Sequence, residues 1–212
     1  MSIPSDRRSR KRLATRDNIS DVATRLFWER GFDQVTVDEI AAAADVGRMT
    51  VFNHFPRKED MFFDREEEGS EVLRTALRER DPQVTPVEAL RLLAHRLVVE
   101  QSPYLSFTAE GQSFIATIAG SAALKTRARA IRDELAQVVA VALAQGAGRK
   151  ADDPDAQLAA HLLLATWTVA LAQAHQSFSQ KQDAEQAQAV FLALVDQGNV
   201  GLKAAMAGTP YS

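Results

Sequence analysis

The stretch that decides the fold is QVTVDEIAAAADVGRMTVFNHFPRKED, residues 34–60. Thr36 followed by Glu39 is a capping-box pair. In such a pair the hydroxyl accepts a free backbone N–H of the first helical turn, and the carboxylate reaches back to the N–H of the capping residue. Val37, Ile40 and Ala41 then face one side, as an amphipathic helix requires. Asp45-Val46-Gly47 reads as a turn. A second short helix follows from Arg48 to His54, with Val51 and Phe55 turned inward and Arg48, Met49, Thr50 and Asn53 left outside. Pro56 ends it, because the residue before a proline is pushed out of the helical region. Two short helices joined by a tight turn make a helix-turn-helix, the unit that lays its second helix in the major groove of DNA.

Upstream, Ile19, Val22, Ala23, Leu26 and Phe27 give one apolar helical face, stopped by Gly31 as a C-terminal cap residue. Before it lies a basic arm: Arg7, Arg8, Arg10, Lys11, Arg12 and Arg16 stand against Asp6 alone. The chain carries −3 overall, so an arm of +5 leaves −8 on the remaining residues. Basic charge is thus concentrated at one end of an acidic body. Residues 1 to about 9, polar and without apolar anchors, are expected to be disordered in the absence of DNA.

Downstream the 212-residue chain reads as helix throughout, with no strand-like alternation. A long charged helix is expected from about Arg57 to Arg80, before Asp81-Pro82. Thr85-Pro86 opens the next, reaching about Gln101. Residues 104–119 form a weaker helix with a Phe107, Phe114 and Ile118 face, and another spans Ala122 to Gln145. Asp153-Pro154 opens one to about Phe178, and Asp183 with Gln186 opens the last. The expectation is an all-α fold of about nine helices: residues 1–56 form the arm and helix-turn-helix, and residues 57–212 a second helical domain.

The chain has no cysteine, which excludes disulfides, thiolate catalysis and cysteine-based zinc sites. The N-terminus lacks the apolar core of a signal peptide. The run from Leu158 to Ala172, interrupted by His161, Thr166 and Thr168, reads as a buried helix, so no membrane partner is expected. A nucleophile elbow, a phosphate loop and a metal cluster are all missing; no catalytic residue, metal or cofactor is assigned, and the chain is not expected to be an enzyme. The expected compartment is the cytoplasm.

Residues 19–61 resemble the TetR family of bacterial transcription regulators. The likeness rests on Ile19, Ala23, Leu26-Phe27, Glu29-Arg30-Gly31-Phe32, Thr36, Ile40-Ala41, Ala44, Val46, Thr50, Phe52, His54-Phe55, Lys58-Glu59 and Met61. It implies a homodimer whose first three helices bind a two-fold-symmetric operator in double-stranded DNA. The remaining helices then dimerise and hold a small-molecule effector that relieves repression. Three positions depart from the family pattern: Asp45 stands where Gly is usual, Phe52 where Tyr is usual and Met49 where Gly is common. Asp tolerates left-handed backbone, so the turn survives. Phe52 loses a hydroxyl contact to phosphate, and Met49 adds bulk at the groove surface.

The candidate DNA-binding residues are Thr36, Gly47, Arg48, Met49, Thr50, Phe52, Asn53, His54 and Lys58. Arg bonds guanine, Asn bonds adenine and a Thr methyl meets thymine; the plainer reading leaves Arg48, Thr50 and Asn53 as exposed polar residues. His54 and Lys58 match family positions that approach phosphate. Arg7, Arg8, Arg10, Lys11 and Arg12 reach a minor groove or simply raise non-specific affinity. For the effector, His95, Phe107, Phe114, Ile118, His161, Trp167 and His175 are candidate pocket residues, with ordinary core as the alternative for each. Gly198 and Gly201 in the last helix suggest close approach of another helix, in a four-helix bundle between two subunits.

Overall fold

The computed structural model describes residues 7–212, apart from the side chains of Glu66 and Tyr104. The described residues contain ten α-helices and two short 3-10 turns, and none of them is in a strand. The helices are α1 (Arg7–Arg30), α2 (Val37–Ala43), α3 (Arg48–His54), α4 (Lys58–Phe62), α5 (Glu66–Arg78), α6 (Pro86–Val99), α7 (Ala109–Gly120), α8 (Ala122–Gly146), α9 (Pro154–Lys181) and α10 (Ala184–Ala205).

The all-helical expectation holds, with ten helices rather than about nine because the helix expected over 57–80 is broken. Phe63 leaves helical geometry at φ −103, ψ 38, and residues 63–65 form a turn. The cause is competition from α1. Asp64 accepts a hydrogen bond from the Ser20 hydroxyl on its carboxylate and one from Arg16 Nη2 on its carbonyl oxygen at 3.3 Å. Phe62 meanwhile packs on Phe32 and Phe63, with ring centroids 5.9 and 5.2 Å apart. The basic segment also departs from expectation. Residues 7–9, read as disordered, are the first turn of α1, since Arg and Lys are good helix formers. The part of the expected arm at residues 1–6 lies outside the described residues. The helix expected from 104 begins at Ala109, after a 3-10 turn at Pro103–Leu105; the Thr108 hydroxyl accepts from Gly111 N there.

The chain forms two compact units. The first holds the residues up to Glu66 together with Thr117–Arg127; the second holds Glu67–Ala116 and Ala128–Ser212. The division therefore falls ten residues beyond the expected boundary at 56, and a later segment joins the first unit.

In the first unit Ile19, Ala23, Phe27, Phe32, Ile40, Val51, Phe55 and Met61 share one core with Leu124 from the start of α8. Two polar ties fasten that later segment: Ser121 Oγ donates to Asp33 Oδ1 at 2.8 Å, and Arg127 Nε to Asp60 Oδ1 at 2.9 Å. The second pair is 12% and 20% exposed, so solvent screens it less than a surface pair.

The second unit is built on α9 and α10, which pack along their lengths. Gly198 makes that approach possible: a Cβ there would lie 2.2 Å from Thr166 Cγ2. By length and composition α9 would suffice to cross a membrane. Here it contributes Ala156, Ala159, Ala160, Leu163, Leu164, Ala170, Ala174 and Phe178 to the core. Its start is fixed by Asp153, whose carboxylate caps Ala156 N at 3.0 Å and accepts from the Tyr211 hydroxyl at 2.8 Å. Burial and that carboxylate push the Tyr211 hydroxyl up to about 12.

Candidate nucleic-acid interface and effector region

The capping box that opens α2 is present in full: Glu39 N donates to Thr36 Oγ1 at 3.2 Å and Thr36 N to Glu39 Oε2 at 2.8 Å. Glu39 also takes Arg30 Nη2 at 2.7 Å. The backbone N–H of Thr36 and then the Arg30 guanidinium hold its carboxyl down at about 2. Thr36 thus spends both its hydroxyl and its backbone donor on Glu39. The turn adopts the strained geometry expected of it, with Asp45 at φ 54. Its Val46 N–H returns to Ala41 O at 3.0 Å. Gly47 caps α3 at φ −72, ψ 148, a conformation open to any residue.

On α3, Arg48, Met49 and Asn53 are exposed while Thr50, Phe52 and His54 are half-buried. Met49, at 70% exposure, is the most prominent apolar side chain of the helix. Arg48 is not a free cation: Nη1 bonds Asp38 Oδ1 and Oδ2 at 3.1 and 2.9 Å, and its guanidinium lies 5.5 Å from the Phe52 ring centre. Sequence reasoning missed Asp38, although an acid at the second position of α2 is a readable signal. Arg16 likewise stacks over Phe55 at 4.4 Å.

Lys58, expected to approach phosphate, has its ammonium engaged within the protein. Its ammonium donates to the Phe32 and Val35 carbonyl oxygens, each at 2.9 Å, and sits 4.1 Å over the Phe32 ring. Burial lowers its affinity for a proton, while Asp33 and Glu59 oppose that shift. The start of α4 is occupied too, since Asp60 Oδ2 accepts from Arg57 N at 3.1 Å. Burial, then Arg12 and Arg16, lower the proton affinity of His54. Arg7, Arg8, Arg10, Lys11 and Arg12 lie exposed on the first turns of α1, which makes the arm a helical one over those residues.

The expected pocket residues do not form one group. Phe107 and Trp167 gather around Phe191 at 6.4 and 6.0 Å, and His175 meets Phe107 at 5.1 Å. Phe191 is fully buried; its place in the apolar pattern of the last helix was legible, its central role was not. Phe107 is itself core, at 3% exposure. Burial alone lowers His175, whose Nδ1 has no hydrogen-bond partner, and this residue lines a hollow of about 580 Å³ between α7 and α9. Phe114 is half-buried on α7. Three residues fall elsewhere. Ile118 packs on the core of the first unit. His161 is exposed, because α9 buries the faces on either side of it. His95 Nε2 pairs with Asp196 Oδ1 at 2.8 Å, inside an ionic network in which Arg91 bridges Asp196 and Glu88 at 2.9 and 2.6 Å. Glu88 is held at about 2, first by Arg91 and also by Lys203. Among the described residues no group of three or more acidic or histidine side chains is placed to hold a metal ion.

A buried three-helix core presenting a short exposed helix after a tight turn is a helix-turn-helix arrangement. Residues 19–64 match the model of the tetR family of bacterial regulatory proteins, and this N-terminal segment is a TetR-family DNA-binding segment. Over 83 residues the chain is 34% identical to the HTH-type transcriptional regulator TcmR of Streptomyces glaucescens, which covers 39% of this chain and 37% of TcmR. Over 48 residues it is 46% identical to the regulator AcrR of Shigella flexneri, covering 23% and 22% of the two chains. The curated relatives it matches are thus spanned over 22–37% of their length. The fold extends further. The SmeT–triclosan complex superposes with a TM-score of 0.55 at 20% identity, over 89% of this chain and 91% of that one.

Proposed function

We propose that the protein is a sequence-specific transcriptional repressor of the cytoplasm, binding a two-fold-symmetric operator as a homodimer and leaving it when a small molecule occupies the second unit. The observation that carries this reading is the surface of α3, where Arg48, Met49 and Asn53 stand exposed side by side behind a buried Val51. Arg48 and Asn53 read base edges, with Thr50 and Met49 beside them. Gly47, Phe52 and His54 lie against the backbone, as does Thr36. The basic turns of α1 add sequence-independent attraction to phosphate.

Dimerisation falls to α9 and α10. Leu158, Leu162 and Val169 of α9 and Val200 of α10 are 48%, 37%, 55% and 69% exposed, a stripe that a second copy covers in a four-helix bundle. His161 and Gly201 lie on the same exposed surfaces. The effector reading is supported by the family likeness and by the triclosan complex of SmeT. A DNA-binding regulator without an effector is the remaining alternative.

Selection of bound duplexes from a random pool tests this directly. An enriched palindrome, bound by a dimer in sedimentation, is the expected result. Binding that enriches no sequence and vanishes as salt rises would overturn it.

A further inference from the structure

We infer that the second unit carries a binding site for an amphipathic carboxylate between α5 and α8, with Arg80 as its anion-binding residue. The inference rests on the effector reading above and names its ligand class. A groove of about 590 Å³ runs between the two helices, with Leu77, Val138, Val141 and Ala142 among its apolar lining. Three arginines, Arg74, Arg78 and Arg80, reach it, and no carboxylate lines it. Two of the three are already committed: Arg74 to Glu67 and Glu71 at 2.6 and 3.0 Å, Arg78 to Glu71 and Glu79 at 3.3 and 3.4 Å.

Arg80 is the exception. Nη1 donates to Leu77 O at 3.1 Å, and among the described residues no carboxylate pairs with it. Its Nε, like that of Arg74, is buried without a hydrogen-bond partner, but Arg80 alone of the three also lacks a carboxylate. A buried cationic donor left unpaired is unfavourable. Arginine binds a carboxylate most strongly through two parallel N–H groups, and the Nε–Nη2 edge of Arg80 is the pair left available. An apolar body lying on Val138, Val141 and Ala142 with its acid group at Arg80 satisfies both surfaces at once. The neighbouring groove beside Ala89 and Leu93 also touches Arg80 and is lined by Arg96, but Glu79 and Asp81 line it too and offset both cations. The hollow beside His175 has only neutral polar lining, Gln112, Ser113, Gln176 and Ser179 among it, and suits neutral ligands.

The test is calorimetry and thermal shift on the full chain with hexanoate, decanoate and 2-naphthoate, each beside its neutral alcohol. At least one acid binds roughly tenfold or more tighter than its alcohol, as expected for a hydrogen bond to a charged group. Arg80→Gln removes that advantage and leaves the alcohol's affinity unchanged, whereas His175→Phe changes neither. Should Arg80→Gln fail to fold, Ala142→Phe, which fills the groove, must abolish binding of the acid. Acids that bind no better than alcohols, or that survive Arg80→Gln or Ala142→Phe in a folded protein, overturn the inference. Operator selection on the unliganded protein keeps the two readings apart: intact operator binding with no acid binding refutes the ligand class alone, and no operator binding refutes the repressor.

Discussion

Arg48 and Asp38 form a two-pronged ion pair across the helix-turn-helix, joining the exposed end of α3 to the first turn of α2 at 2.9 and 3.1 Å. Both side chains are more than half exposed, so the pair itself contributes little stability. Its consequence is for recognition. If Arg48 reads a base edge as proposed, the pair biases its orientation before DNA arrives, and the Asp38 carboxylate beside it disfavours backbone phosphate. Arg48→Ala is expected to cost about 1–3 kcal/mol on the operator and to relax base preference at one position per half-site. Asp38→Asn should do something different. It frees the cation, raises affinity for random duplex and lowers the ratio of specific to random binding. Titrating both duplexes with each variant checks this; equal loss on both for Arg48→Ala refutes a base-reading role.

Lys58 has a structural role visible without DNA. With two carbonyl bonds and a ring beneath it, it clamps the turn at Phe32–Gln34 to α4. Lys58→Ala leaves the Val35 carbonyl without this donor and the Phe32 carbonyl with only the longer bond from Val35 N at 3.4 Å; for part-buried groups the cost is about 1 kcal/mol. A lower melting temperature is therefore expected. The logarithmic salt slope should change by less than the roughly 0.9 that each phosphate contact contributes. A full unit lost from the slope with unchanged melting would restore the phosphate role.

The helix-turn-helix was legible because its signals are local. Thr36 with Glu39 announces a cap, Asp45 tolerates φ 54, and Pro56 closes α3. Most of the later helices were legible for the same reason: Pro86 and Pro154 stand at the first turns of α6 and α9. What escaped depends on partners distant in sequence. The break at 63–65 is imposed by Arg16 and Ser20, more than forty residues earlier. Ile118 and Leu124 read as part of a second domain, yet they join the core of the first, whose other members lie more than fifty positions upstream. His95 and His161 look alike in sequence, and only packing separates an ion-network member from an exposed surface residue.

Acid should weaken the fold in two stages. His54 and His175 are lowered from 6.5, chiefly by burial. The unfolded chain therefore binds their protons first, and stability falls as pH drops through 6.5. Glu39 and Glu88 are lowered from 4.5 to about 2. Their contribution is present above 4.5 and is lost as pH falls from there toward 2. Melting temperature against pH should show a shallow limb below 6.5 and a steeper one below 4.5. His175→Gln should flatten the first limb and leave the second; an unchanged first limb in this variant would show that His175 does not contribute to it.

Gly198 and Gly201, one helical turn apart on α10, should respond oppositely to alanine. At Gly198 a Cβ meets Thr166 Cγ2 at 2.2 Å and its Oγ1 at 2.7 Å. The Thr166 hydroxyl is tied to Leu162 O at 2.9 Å, so the side chain has little freedom to turn away. Overpacking of this kind costs about 1–3 kcal/mol, and Thr166→Ala should restore part of it, since Thr166 Cβ would still lie 3.0 Å from the added methyl. At Gly201 a Cβ meets nothing within 4 Å. Within a single chain Gly201→Ala should therefore stabilise α10 by about 0.5–1 kcal/mol through helix propensity. If the exposed surface of α10 around Val200 is where a second copy packs, the added methyl also intrudes on that partner. Sedimentation should then show a weaker dimer from a subunit whose own helix is more stable. A Gly201→Ala protein that melts higher and dimerises as before would place the contact elsewhere on α9 and α10.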